Sequence, residues 1–395
     1  MSYRESIIAY VEKQHPIYKQ IALDIHAKPE VSNYEFFACE RLSTQLKEEG
    51  FDVKVDVAGH RTGFSAVYKS GKPGPVIVFL AEYDALCGLG HACGHNLFGA
   101  TSSLAASALK QVIDETGGEV RVYGTPGEEG GENGSAKGSF VREGFLKDVD
   151  VALCVHPGSN KHEPTLPTLA CAPIDIEFWG RAAHAASKPE YGINALDAII
   201  QVYNSINALR QHLTTDVRIH GIITHGGDAP NIVPEYAKAK FYLRANTVPT
   251  LNDVYKKVEN IVQGASLATG AKGRMQPYQN LVENTIVTPL FDSLYIKHLE
   301  EFGENIELNN NASIGSSDVG NISQVVPTIQ PKISITDVPV AGHSIEMRDA
   351  AQSEKGLNSI ALGAKILALC ALDLILDPNL LKKIKEEHAI AVKEQ

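Results

Sequence analysis

The first fifty residues place apolar side chains at loosely helical spacing (Ile7, Ile8, Val11, Ile17, Ile21, Leu23, Ile25), which predicts a helix. A second helical stretch runs from Glu35 to Glu48, and Gly50 marks its end. The period then changes. Phe51 to Val57 alternates apolar and polar positions, as a half-buried strand does, and Phe64 to Tyr68 is short and apolar. Val76 to Ala81 is apolar without a break, which suits a strand covered on both faces. Leu97 to Ile113, rich in small residues, reads as a helix, and Val120–Gly124 and Val149–Val155 read as further strands. Strands alternating with helices predict an α/β fold, a mixed but mostly parallel sheet with helices on both faces.

Near Pro173 the style shifts. Ile174 to Trp179 alternates with period two, Asn194 to Leu213 is helical, Arg218–Thr224 and Tyr236–Arg244 read as strands, and Asn252 to Thr269 is a second helix. This is the pattern of an α+β insert covering 173–284. The first style returns with a helix at Pro289–Phe302, a strand at Thr328–Ile335 and a long apolar helix at Glu354–Leu376. The expected organisation is one domain made of 1–172 and 285–395, interrupted by a smaller one.

Charge narrows the function classes. The 395 residues carry 36 Lys and Arg against 47 Asp and Glu, a net charge of −11, which argues against nucleic-acid and anionic-membrane partners. The longest apolar run, Ile366 to Leu372, is flanked by Lys365 and Asp373 and falls short of the roughly 18 residues of a membrane span. The start of the chain shows no basic region followed by an apolar core, and the six cysteines are scattered with no CxxC pair. A cytoplasmic chain of free thiols is expected.

The candidate chemistry clusters after the strands. Directly behind the apolar strand at 76–81 come Glu82, Asp84, Cys87, His91, Cys93 and His95, side chains that bind borderline-soft metals, with glycines at 88, 90 and 94 that allow a tight fold. The adjacent carboxylates Glu128 and Glu129 follow the strand at 120–124; one can hold a cation while its neighbour takes a proton from bound water. His156 ends the strand at 149–155, and His343 follows the last strand. Four clusters at four strand ends point to one site for two metal ions that activate a water for amide hydrolysis. No GxSxG elbow, phosphate loop or dinucleotide fingerprint is present; the stretch around Lys137 resembles a phosphate loop only superficially.

The motifs HAKPEVS at 26–32, EYDAL at 82–86, GHACGHN at 90–96, TPGEE at 125–129, GRAAHAA at 180–186, GGDAPNIVP at 226–234, YLR at 242–244 and GH at 342–343 occur in order along nearly the whole chain. In these the chain resembles metallopeptidase family 20, nearest its amidohydrolase branch of aminoacylases and indole-acetyl-amino-acid amidohydrolases. The resemblance implies a two-domain di-metal peptidase fold whose insert is a lid and dimerisation domain. It implies Cys93 as bridging ligand, His95 (with His91 as the alternative), Glu129, His156 and His343 as further ligands, and Glu128 as general acid and base. It implies that His184 stabilises the oxyanion, within its subunit or across a dimer, and that Asn231 and Arg244 bind the substrate's carboxylate or carbonyl. Two zinc or manganese ions, with cobalt also suitable, an N-acyl amino acid or small dipeptide as substrate, and a homodimer formed through the lid are the expected cofactors and partners. The branch usually has Pro where Cys87 stands and often Asp where Asn96 stands; neither change removes a ligand. Two other readings fit the residues alone: a thiol hydrolase with Cys93 as nucleophile, and a catalytically silent metal-binding protein.

Overall fold

The computed structural model describes residues 1–307 and 315–395. The chain forms two compact units, residues 1–168 with 285–394, and residues 169–284.

The larger unit opens with helix α1 (Tyr3–Ala27), started by a reciprocal Ser2/Glu5 capping box, and α2 (Phe36–Glu48). Strands β1 (Asp52–Val57), β2 (His60–Lys69) and β3 (Val76–Ala81) follow, then α3 (His95–Thr116), β4 (Glu119–Gly124), the short α4 (Ala136–Arg142), and strands β5 (Val151–Leu153) and β6 (His156–Gly158). The smaller unit contains β7 (Ala170–Trp179), α5 (Ala195–Leu209), β8 (Arg218–His225), β9 (Tyr236–Ala245), α6 (Val248–Thr269) and β10 (Lys272–Pro277). The chain then returns to the larger unit with α7 (Pro289–Glu301), α8 (Val319–Ser323), β11 (Thr328–Ile329), β12 (Lys332–Ser334), α9 (Ile345–Ala350), α10 (Glu354–Leu376) and α11 (Pro378–Lys393).

The main sheet has the order β1-β2-β4-β3-β5-β11. Pairs among β4, β3, β5 and β11 are parallel, while β1 and β2 join antiparallel at one edge. The unbroken apolar run of β3 is explained by its two partners: Ile77, Phe79 and Ala81 face the core built with α1, α3 and α10, and Val78 and Leu80 face a second core containing Phe98, Phe140 and Ile322. Each fully buried large side chain there contributes about 1.5–3 kcal/mol. Helix α10 is long and apolar enough to cross a bilayer, yet it is mostly buried and packs on α1 and α3 as a core helix.

Two expected strands differ from the observed ones. The run 149–155 stops at Leu153, and His156 opens its own short strand, β6. The run 328–335 is likewise split into β11 and β12, and β12 pairs with β6 in a separate two-stranded sheet. Pro157 and Pro331 lack the N–H that continuous ladders would need. His156 opens a second ladder in the same register as the first, its N–H donating to the Pro331 carbonyl at 2.9 Å.

The smaller unit is a four-stranded antiparallel sheet, β10-β7-β9-β8, with α5 and α6 packed on it. Strand β9 alternates between buried and half-buried positions along its whole length. Strand β7 starts at Ala170, so the change of pattern at Pro173 falls inside a strand. The larger unit's two chain crossings lie side by side: Thr168 Oγ1 and Thr285 Oγ1 are 2.7 Å apart, and the Thr285 N–H donates to Thr168.

Candidate metal centre

Strands β3 and β4 run parallel and end level, Ala81 opposite Gly124, so the loops that follow them emerge together. Asp84 ties these loops. One of its oxygens lies 2.9 Å from His95 Nδ1, and the other accepts the Glu129 backbone N–H at 2.9 Å. With Nδ1 held, His95 directs Nε2 into the site, as a carboxylate does for many metal-ligating histidines. Gly94, between Cys93 and His95, has φ +79°, and a Cβ there would meet Pro157 at 2.7 Å, so both the turn and the approach of β6 require glycine.

Two three-residue groups share one sulfur. The ligand atoms of Cys93, His95 and His156 lie within 4.8 Å of one another, and so do those of Cys93, Glu129 and His343. His156 Nδ1 donates to the Pro157 carbonyl at 2.7 Å, leaving Nε2 3.5 Å from Cys93 Sγ. His343 Nε2 stands 3.5 Å from Glu129, and its backbone N–H donates to Ala92, next to the shared cysteine. His343 has φ +57°, a left-handed conformation uncommon outside glycine. Glu129 Oε1 is buried with no hydrogen-bond partner among the described residues, and His95 Nε2 is buried facing carboxylates without a well-aligned hydrogen bond. A shared sulfur, three imidazoles, a carboxylate and these buried lone pairs fit two borderline-soft divalent cations. His91 is buried beside His26, ring centres 6.0 Å apart, and joins neither group, so His95 is the histidine delivered to the site. Cys87 is exposed and also joins neither.

Glu128 belongs to a third group with Glu82 and His95, its carboxylate 3.9 Å from His95 Nε2. Burial lifts Glu128 well above the ordinary carboxylate range, with Glu82 and Glu129 adding to the shift. Burial raises Glu129 as well, pushes the Cys93 thiol up to about 12, and, with His95, depresses His156 to about 4. Divalent cations favour the deprotonated form of each of these ligands.

Sequence reasoning missed the counter-charge. Lys137, at the start of α4, is fully buried, with Nζ 2.6 Å from Asp318 and 2.8 Å from Glu82. Its backbone N–H also donates to Asp318. The other Glu82 oxygen lies 3.2 Å from His95 Nε2. Lys137 thus joins the loop after β3, the helix after the Glu128 turn and the returning chain. No linear motif marks it, because its carboxylate partners lie 55 and 181 residues away.

Comparison with known proteins places this geometry in a family. A peptidase dimerisation domain matches residues 172–269. The chain is 35% identical to the Xaa-Arg dipeptidase of Mus musculus over 81% of this chain and 74% of that protein. It is 31% identical to one of the p-aminobenzoyl-glutamate hydrolase polypeptides of Escherichia coli over 96% of this chain and 93% of that one. A dinuclear metal-binding M20 peptidase of Bacillus subtilis superposes with a TM-score of 0.63 at 20% identity, covering 92% of this chain and 99% of that one. The chain belongs to the M20 peptidase family. As an M20 enzyme it is a hydrolase of amide bonds that uses divalent metal, and its insert carries the family's dimerisation domain.

Within the insert, the expected M20 residues have a different character. His184 and Asn231 are exposed and lie on adjoining segments, linked by the Ala185 N–H donating to the Asn231 carbonyl at 3.0 Å. His184 Nδ1 accepts from the backbones of Ala186 and Ser187, which fixes the ring and leaves Nε2 outward. Arg244 is half-buried on β9, its guanidinium 5.2 Å from the centre of the Tyr242 ring.

Proposed function

We propose that this M20 enzyme hydrolyses the amide bond of an N-acyl amino acid or a small dipeptide with two divalent ions, zinc or manganese, cobalt also being suitable. The observation that carries the reading is the Cys93 sulfur common to two ligand groups, with Glu128 beside them. Cys93 would bridge, His95 and His156 would complete one ligand set, and Glu129 and His343 the other. Ions held there would lower the pKa of a water and polarise the substrate carbonyl. Glu128 takes the proton from the attacking water and returns it to the departing nitrogen. His184 donates to the developing oxyanion, and Asn231 and Arg244 hold the substrate's carboxylate or carbonyl. The two named relatives support the substrate class, since a dipeptide and a benzoyl-glutamate both join an amino acid through an amide.

We propose a homodimer formed through the insert. Strand β8 is an edge strand with Ile222 and Ile223 exposed, a surface that a second copy would cover. A cytoplasmic location fits the six free cysteines.

A thiol mechanism has its own observation, the 3.5 Å approach of Cys93 to His156. Burial works against it, because the thiol is raised to about 12 and the imidazole lowered to about 4, so the proton stays on sulfur. The deciding experiment measures metal content and hydrolysis of a panel of N-acyl amino acids and dipeptides before and after chelation. About two ions per chain, with activity lost on chelation and restored by metal, is the expected result. Activity indifferent to chelation but abolished by a thiol alkylating agent would replace this reading with the thiol one.

A further inference from the structure

The HAKPEVS motif and the residues just after it contribute no metal ligand, yet they underlie the turn that carries Glu128. Glu30 accepts from the Phe37 and Ala38 N–H groups at 2.9 and 3.1 Å and so caps α2. Asn33 Nδ2 donates to the carbonyls of Glu132 and Asn133 at 3.0 and 2.8 Å. Glu35 is fully buried: one oxygen accepts from Thr62 Oγ1 at 2.8 Å, the other from the Gly127 backbone N–H at 2.9 Å.

Gly127 is the hinge of that turn. It has φ +70°, and a Cβ would stand 2.5 Å from Ser32 Oγ. Its carbonyl accepts from the Ser135 N–H at 2.6 Å. Two residues on, the Glu129 N–H is held by Asp84. Glu128 therefore hangs between two peptide groups, each fixed by a buried carboxylate from a different segment. A buried carboxylate is costly, and burial with Asp84 nearby raises Glu35 to about 8. Without Glu35 the Gly127 N–H would lose its partner in a dry site.

We propose that Glu35 is a positioning residue for the hydrolysis: through the Gly127 amide it fixes the backbone that aims the Glu128 carboxylate. It touches neither substrate nor ions, and the proposal rests on the reading of Glu128 as the proton-transferring group.

The test uses the full-length, metal-loaded enzyme, with wild-type activity and its loss on chelation confirmed first, so that failure of the proposed function shows separately. Glu35→Ala should lower kcat about 30-fold, the scale of a displaced reacting group, with KM within about threefold and metal content unchanged. Amide hydrogen exchange of the 126–130 segment should speed up in the same variant. Glu35→Gln keeps an acceptor for Gly127 and should recover kcat to within about threefold of wild type. A Glu35→Ala protein that holds its metal and keeps kcat within about twofold overturns the proposal, even if its Tm falls. So does Glu35→Gln falling as far as Glu35→Ala, which would make charge rather than the hydrogen bond decisive. If Glu35→Ala does not fold, Thr62→Val decides: the loss of one orienting bond should lower kcat by roughly two- to fivefold at constant KM, and no change overturns the idea.

Discussion

The pocket of the larger unit and the loops of the insert carry candidate residues in opposite conditions. In the pocket, Asp84 orients His95, the Pro157 carbonyl orients His156, and Glu82 is held by Lys137. Each of these groups is held by a hydrogen bond or ion pair to a neighbouring residue. In the insert, His184 and Asn231 are exposed, and only the His184 ring is fixed by its own backbone. The difference teaches a division of labour. The larger unit holds its candidate metal and proton-transfer groups in fixed positions, while the insert leaves its candidate groups open to water.

The largest effect should separate these roles inside the pocket. Glu128→Gln should cut kcat by about a thousandfold with metal content unchanged, because it removes proton transfer and little else. A variant with normal turnover would end the assignment of Glu128. His184→Ala should cost about a hundredfold in kcat, again with full metal content. If it also released metal, the contrast between pocket and insert would be wrong.

Stability is the next measure. Lys137→Met leaves Glu82 and Asp318 buried without their cation and should cost about 3–5 kcal/mol in denaturant unfolding. A cost below about 1 kcal/mol would mean that water reaches the cluster.

The smallest effects concern a network that imitates a nucleophilic triad. His60 Nε2 lies 2.9 Å from Ser139 Oγ, and His60 Nδ1 lies 2.7 Å from Asn33 Oδ1. Ser139 and His60 are buried, and Arg142 also donates to the serine at 3.0 Å, so the network is structural. Ser139→Ala should keep kcat within about twofold. Burial lowers His60 to about 4, so its neutral form is favoured by folding. The unfolded chain binds the extra proton first, and this stability is present above about pH 6.5 and lost as pH falls toward 4. Thermal melts across that window should show a shallower pH slope for His60→Gln than for wild type.

Much of this was legible in the chain. Cys93, His95, Glu128, Glu129 and His343 follow strands or precede helices at places where an α/β sheet concentrates function, and linear motifs mark them. The break before His156 was not legible, because the pairing of β6 with β12 is a long-range contact between segments about 176 residues apart. Strand β10 was missed because Lys272 to Pro277 contains Gly, Arg and Gln and is held by its partner β7 rather than by its own propensity. Helix α11 has only Ile384 and His388 buried, so its apolar pattern is thin. Glu35, Lys137 and Asp318 meet their partners only through long-range contacts, which no linear motif marks.

The paired crossings at Thr168 and Thr285 carry one more consequence. Because the chain leaves and re-enters at neighbouring residues, the insert is a cassette rather than a woven part of the scaffold. Joining the two threonines through a few residues would break no ladder of the main sheet, and the shorter loop would cost less closure entropy, by about 0.6 kcal/mol for each halving of its length. Such topology lets the insert be exchanged or lengthened while the scaffold that carries the candidate metal ligands keeps its own connections.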